Sequence, residues 1–155
     1  MKSRARLFLI STITVAGLAL SAWTLVAAQS AGDQIVKTEF AKLNHQQVPN
    51  LPGISNTFIT GAFDKSGMYA AHGRMEKGSK FLPHSHPDIR FSVVTSGTMY
   101  LGQGETFDES DLVAYPTGTM AITPANTPHY MLAKDGDVTI LELGSGPSGT
   151  KFTKN

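Results

Sequence analysis

The sequence predicts an all-β domain, an antiparallel barrel or sandwich, and three observations carry that prediction. From Thr57 onward, short segments rich in Val, Ile, Thr, Phe and Tyr recur at close spacing. Clusters of turn-forming residues separate them: Asp64-Lys65-Ser66-Gly67, Ser96-Gly97, Pro116-Thr117-Gly118 and Lys134-Asp135-Gly136-Asp137. No run long enough for three helical turns interrupts the series, so the pattern is that of strands joined by hairpins and short crossings.

Taken in order, residues 1–28 differ from the rest. Lys2, Arg4 and Arg6 precede the uncharged stretch Leu7 to Ala28, which ends in the small residues Val26-Ala27-Ala28. A basic start, an apolar middle and a small-residue end read as a secretory signal peptide cut after Ala28. An uncleaved membrane anchor is the alternative, since such a run just reaches across a bilayer. Either way the folded part is expected outside the cytoplasm, periplasmic or secreted. Residues 29–55 are polar with weak periodicity and are broken by Pro49, Pro52 and Gly53, which predicts an N-terminal arm or edge strand. The barrel is expected over residues 56–146. Its strands are predicted at Thr57 to Phe63, Met68 to Met75, Ile89 to Thr95, Thr98 to Leu101, Leu112 to Tyr115, Met120 to Thr123, His129 to Ala133 and Val138 to Leu143. Residues 147–155 are rich in Gly, Ser, Thr and Lys and read as a flexible C-terminal tail.

Composition removes several classes of function. There is no cysteine among the 155 residues, which excludes disulfides, thiolate metal sites and a cysteine nucleophile. Any metal must be held by nitrogen and oxygen. Without Lys2, Arg4 and Arg6, ten basic residues face 12 acidic ones, a formal charge of −2. The basic residues are scattered with no block or aromatic interleaving, so no nucleic-acid partner is expected. Membrane contact is expected only through an uncleaved leader.

The chemistry-bearing residues centre on His84 and His86. Side chains alternate along a strand, so two histidines one residue apart project from the same face and can share an ion. A third, His129, opens another apolar run after Pro124-Ala125-Asn126-Thr127-Pro128. Three imidazoles suffice for an open first-row metal site. His45 and His72 have no partner at ligand spacing and read as surface residues. Tyr69, Tyr100, Tyr115 and Tyr130 read as core or sheet-face residues, the dispersed methionines as core filler, and Asp108-Glu109-Ser110-Asp111 as a solvated loop.

Gly78, His84, His86, Arg90 and Gly97 fall at the spacings of the first signature of the cupin superfamily, and Gly118, Pro124, Asn126, His129 and Ala133 at those of the second. The chain thus resembles a small single-domain bacterial cupin of the conserved-barrel type over residues 57–146. The resemblance implies a double-stranded β-helix, or jelly-roll, barrel. It also implies a divalent metal on His84, His86 and His129, with Zn, Mn, Fe, Ni and Cu all represented in the family, and a homodimer as a possible assembly. Asn126 replaces a signature glycine, a mild change because asparagine tolerates positive φ.

The departure that matters is Arg90, which stands where the family's ligand glutamate is expected. Its parity with both histidines aims it into the same cavity unless a bulge intervenes. A guanidinium beside a divalent ion is unfavourable and cannot be relieved by deprotonation. Three arrangements reconcile the charges. The histidines alone hold the metal and Arg90 grips a substrate carboxylate or phosphate. Alternatively, a carboxylate from another strand supplies a further ligand, Glu142 before Glu76 or Glu105. In the third, no metal binds and the histidines with Arg90 form an anion pocket. Arg90 could also bridge to Asp88, or to Asp108 and Glu109. The leading expectation is an exported cupin that binds or acts on a small anionic molecule through a metal. If it is an enzyme, lyase, isomerase or hydrolase chemistry is favoured over dioxygenation. The competing expectation is a non-enzymatic, metal-free small-molecule binder.

Overall fold

The computed structural model describes residues 35–153, so the leader read over residues 1–28 lies outside the described residues. After a 3-10 turn at Phe40–Lys42 the strands follow as β1 (Gln46–Gln47), β2 (Ile54–Thr60), β3 (Gly67–Met75), β4 (Lys80–Ser85), β5 (Arg90–Ser96) and β6 (Thr98–Gln103). A second 3-10 turn at Glu109–Asp111 leads to β7 (Val113–Pro116), β8 (Met120–Thr123), β9 (His129–Leu132), β10 (Val138–Gly146) and β11 (Lys151–Phe152). One sheet has the order β1-β2-β3-β10-β5-β8 and the other β11-β4-β9-β6-β7, with antiparallel pairing throughout. The expected all-β jelly roll is what forms.

Alternation along the strands decides what lies between the sheets. On β5, Arg90, Ser92 and Val94 are buried while Phe91, Val93 and Thr95 are less so. The interior divides along the strand direction. At one end Ile54, Met75, Val94, Met99, Ala121, Met131, Val138 and Ile140 form an apolar core, where each large side chain contributes roughly 1.5–3 kcal/mol of burial. At the other end the same strands carry Tyr69, His84, His129, Arg90 and Glu142. One chain direction thus supplies a stabilising half and a chemical half.

Two local features place the site. Along β4 and β9 the partners run from Phe81↔Met131 to His84↔His129, three steps against two, which is a bulge. Pro83 sits inside it, where a missing N–H costs no ladder bond. The extra residue leaves Leu82 47% exposed and turns both Phe81 and His84 inward, His84 to 0% exposure. The apolar-run pattern omits this strand because of that proline. At Asn126 the backbone has φ 60°, the left-handed conformation expected of it, and its N–H donates to the His86 carbonyl at 2.6 Å. The loop preceding β9 is thereby tied to the loop following β4.

At the C-terminal end the structure departs from the flexible tail expected over residues 147–155. Lys151 and Phe152 pair with Ser85 and His84, and the Thr153 N–H donates to the Pro83 carbonyl at 3.0 Å. Strand β1 pairs with β2 at the edge of the other sheet.

Candidate metal centre

The bulged strand β4 delivers His84, the turn that follows it delivers His86, and the first position of β9 delivers His129. All three are buried, and one ring nitrogen from each lies within 4.8 Å of the others. The remaining nitrogens are each taken by a backbone carbonyl: His84 Nδ1 by Leu82 at 2.7 Å, His86 Nδ1 by Gly149 at 2.7 Å and His129 Nδ1 by Thr127 at 2.9 Å. A carbonyl oxygen only accepts, so every Nδ1 carries the proton and every Nε2 keeps its lone pair. Carbonyl partners of this kind fix ligand histidines in metal sites. His84 Nε2 is buried with no hydrogen-bond partner among the described residues, so its lone pair is open to a Lewis acid. Donors about 2.1 Å from one ion stand at most about 4.2 Å apart, so a pair separated by 4.8 Å would have to close by at least about 0.6 Å on loading. The residues present therefore fit a metal ion.

The surroundings keep the rings neutral. Burial, reinforced by His129, pushes the His84 pKa down to about 3. Burial and then the Arg90 charge push His86 down to about 4. Burial also lowers His129, against the opposing pull of the Thr127 carbonyl. Neutral imidazole is the ligating form, so no proton has to leave for an ion to bind near neutral pH.

Arg90 points inward as its parity requires and is 3% exposed. Its Nη1 donates to Glu142 Oε2 at 3.1 Å and its Nη2 to Ser148 Oγ at 3.0 Å, while Nε stands 3.7 Å from Asp88 Oδ1. The guanidinium lies 4.9 Å from the Phe63 ring centre and 5.7 Å from that of Tyr69. Asp88 in turn accepts from Ser148 Oγ and, at 2.6 Å, from the Tyr69 hydroxyl. Burial works to raise the Asp88 pKa, but the hydrogen bonds from Ser148 and Tyr69 and the Arg90 charge outweigh it and hold Asp88 below the usual range. Burial and the bond to Asp88 push the Tyr69 hydroxyl well above its ordinary value. The bridge expected to Asp88 is present, whereas Glu109 pairs with Lys80 and Asp108 caps its own turn. Arg90 Nε is the second buried atom left without a partner, here a donor.

Glu142 projects into the same interior, where it faces Arg90 and, at 3.5 Å, Ser92 Oγ. The cluster of mutually close ligand atoms is made of the three imidazoles, and Glu142, Glu76 and Glu105 stand outside it. Tyr69, Ser148 and Gly149 complete the site without having been singled out by the sequence. A serine and a glycine in a polar tail carry no periodic signal; the bond from Ser148 N–H to the Phe63 carbonyl at 2.6 Å and the pairing of β11 with β4 bring them in. The expectation of a surface position fails for His72, which is 3% exposed. Its Nδ1 shares a hydrogen bond with His45 Nε2 at 2.8 Å, and Phe40 stacks on its ring at 4.7 Å between centroids.

Two cavities adjoin the site. One of about 170 Å³ lies between the sheets, bounded by the Val48–Leu51 corner, Met131, Ile140 and Phe152, with Arg90 and Glu142 also in its wall. Phe81 separates it from His84, its ring stacked on the imidazole at 3.9 Å and 17°. The other, about 230 Å³, touches His129 and is bounded by Leu101, Gln103, Tyr115 and Thr123.

No known protein-family profile matches the chain, and no curated protein matches it in sequence. Solved structures do. KdgF from Halomonas sp. superposes with a TM-score of 0.55 at 20% identity, over 69% of this chain and 91% of that one. The polyketide cyclase RemF from Streptomyces resistomycificus gives 0.66 at 12% identity, over 79% and 87%. A sugar phosphate isomerase from a cupin superfamily, from Silicibacter pomeroyi, gives 0.55 at 21% identity, over 72% and 76%. Likeness at these identities establishes architecture and leaves chemistry to the site itself.

Proposed function

With the cupin fold as premise, we propose that this chain is an exported single-domain protein that holds a divalent metal on His84, His86 and His129 and binds or acts on a small anionic molecule beside Arg90. The observation that carries the reading is the shared tautomer. Three backbone carbonyls each accept from an Nδ1–H and so hold the proton there, leaving the lone pairs on three Nε2 atoms, one of them a buried atom with no other partner among the described residues.

Charge bookkeeping supports the anion. Asp88 and Glu142 against Arg90 leave the interior one negative charge in excess, with the imidazoles neutral. A divalent ion converts that to one positive charge, which a single anionic oxygen donor balances. Arg90, with two nitrogens already engaged by Glu142 and Ser148, has its Nε–H left to donate to such an oxygen. Bound there, the ion supplies Lewis-acid polarisation of the donor oxygen. The chain's own residues orient the donor, keep it from bulk water and fix the protons on the imidazoles. An all-imidazole set suits Zn, Fe, Ni or Cu, and Mn less well for want of a carboxylate ligand. Export rests on the basic, apolar and small-residue order of residues 1–28. N-terminal sequencing of protein from fractionated cells tests it, a start at Gln29 being the expected result.

Elemental analysis of protein purified without a histidine tag tests the metal. One ion per chain, lost in His129→Ala, is expected; absence of metal together with unchanged behaviour of His129→Ala defeats the reading. The near-complete pairing of Arg90 with groups of its own chain favours a second reading, a binder without turnover. Retained carboxylate binding by metal-free protein would select that one.

A further inference from the structure

We infer that the ligand is amphipathic: a small oxyanion carrying a hydrocarbon body about the size of one aromatic ring, the body seated in the cavity of about 170 Å³ between the sheets and the oxygen turned toward Arg90. This deepens the reading just given and rests on it for the anionic end, while the hydrocarbon end stands on the cavity alone.

The cavity's position argues for such a molecule. It begins at the apolar half of the interior, among Leu51, Met75, Met131 and Ile140, and continues to Arg90 and Glu142 in the polar half. A molecule that is polar throughout would leave its hydroxyls unpaired against the apolar end, at a cost of roughly 1–3 kcal/mol each. A wholly apolar one would leave Arg90 Nε without an acceptor, as it stands now. Only a ligand polar at one end satisfies both walls. The size follows from volume, since an apolar cavity of about 150 Å³ is enough to take up benzene.

Charge adds a condition. The interior of the metal-free protein carries an excess negative charge from Asp88 and Glu142 over Arg90, so it should reject a carboxylate and still admit a neutral ring. Metal loading should reverse the first behaviour and leave the second unchanged.

Three probes separate these parts: benzene for the body, acetate for the oxyanion and benzoate for both. In calorimetric titrations of the Zn²⁺-loaded full chain, benzoate should bind at least about 10-fold more tightly than acetate, the gain expected from burying a ring. Val48→Trp, which fills the cavity from its rim, should bring benzoate down to the level of acetate without altering Zn²⁺ uptake. Benzene added to metal-free wild-type protein should shift the methyl resonances of Met131 and Ile140, a measurement that needs no variant. Equal affinities for benzoate and acetate in loaded protein overturn the inference, as does a lack of benzene shifts. Failure of Zn²⁺ uptake with benzene shifts intact would instead sink the metal reading and leave the hydrocarbon half of the ligand standing.

Discussion

Two groups of histidines occupy this barrel, and the contrast between them shows what makes an imidazole available for chemistry. Inside, His84, His86 and His129 each give one nitrogen to a backbone carbonyl and keep the other free. On the outer face of the six-stranded sheet, His72 spends one nitrogen on His45 and the other on Thr95 Oγ1 at 3.1 Å, and Thr95 continues to Thr139 at 2.8 Å. Both His72 and His84 are almost fully buried, so burial does not distinguish them. The partner of the second nitrogen does. A carbonyl fixes a donor and leaves a ligand; another side chain uses up the ring and leaves a strut.

Substitution should separate the two groups sharply. His129→Ala is expected to weaken divalent-metal binding by more than about 100-fold, beyond the range typical of outer-shell changes, whereas His45→Ala and His72→Ala should leave it unchanged in calorimetric titrations. A comparable loss in His72→Ala would erase the distinction. Next in size is Arg90→Glu, which restores the carboxylate of the cupin signature. It should strengthen Mn²⁺ or Fe²⁺ binding and abolish carboxylate recognition. It also places three acids together, and roughly 3–5 kcal/mol of stability should be lost in metal-free protein by urea unfolding. Metal affinity that does not rise would mean the new carboxylate cannot reach the imidazoles.

A pH titration sharpens the same comparison. The folded-state pKa values of His84 and His86 lie below the ordinary value, at about 3 and about 4. As pH falls below about 6.5 the unfolded chain gains protons on these rings that the folded chain refuses. Stability of the metal-free protein should therefore be full above about pH 6.5 and decline toward about pH 3, each ring contributing on the order of 1 kcal/mol per pH unit. His72, lowered by burial and by His45, declines in the same direction. A saturating metal would keep the inner rings proton-free in the folded chain, so their part of the slope should persist to lower pH than in the metal-free protein, alongside that due to His72. Smaller effects come last. His72→Phe should cost roughly 1–3 kcal/mol in denaturant unfolding through the polar groups it strands on His45 and Thr95. Ser148→Ala should cost about 1 kcal/mol and lower metal affinity only slightly.

Much of this was legible in the chain. The short β-branched and aromatic runs between turn residues located β3, β5, β8, β9 and β10, and all four residues of β9 are buried. Gly97, with φ 77° and the Asp137 carbonyl where a side chain would lie, occupies a signature position for a backbone reason. His84, His86 and His129 converge as their spacing implied. The rest depended on events that leave no local pattern. Pro83 hid β4, since the bulge that accommodates a proline also breaks alternation. For the guanidinium at position 90 the sequence offers both a substrate grip and a bridge to Asp88; the partners Glu142 and Ser148, which hold two of its nitrogens, lie more than 50 residues away and carry no local signal. The His45–His72 contact joins residues 27 apart through the N-terminal arm and carries no ligand-like spacing.

The carbonyl that sets His86 belongs to Gly149, 63 residues further along. Contacts of that span close late, since the intervening chain must first give up its freedom. Ion capture should therefore be among the final events of maturation. The moment at which a refolding sample takes up Zn²⁺ would time the docking of its last strand.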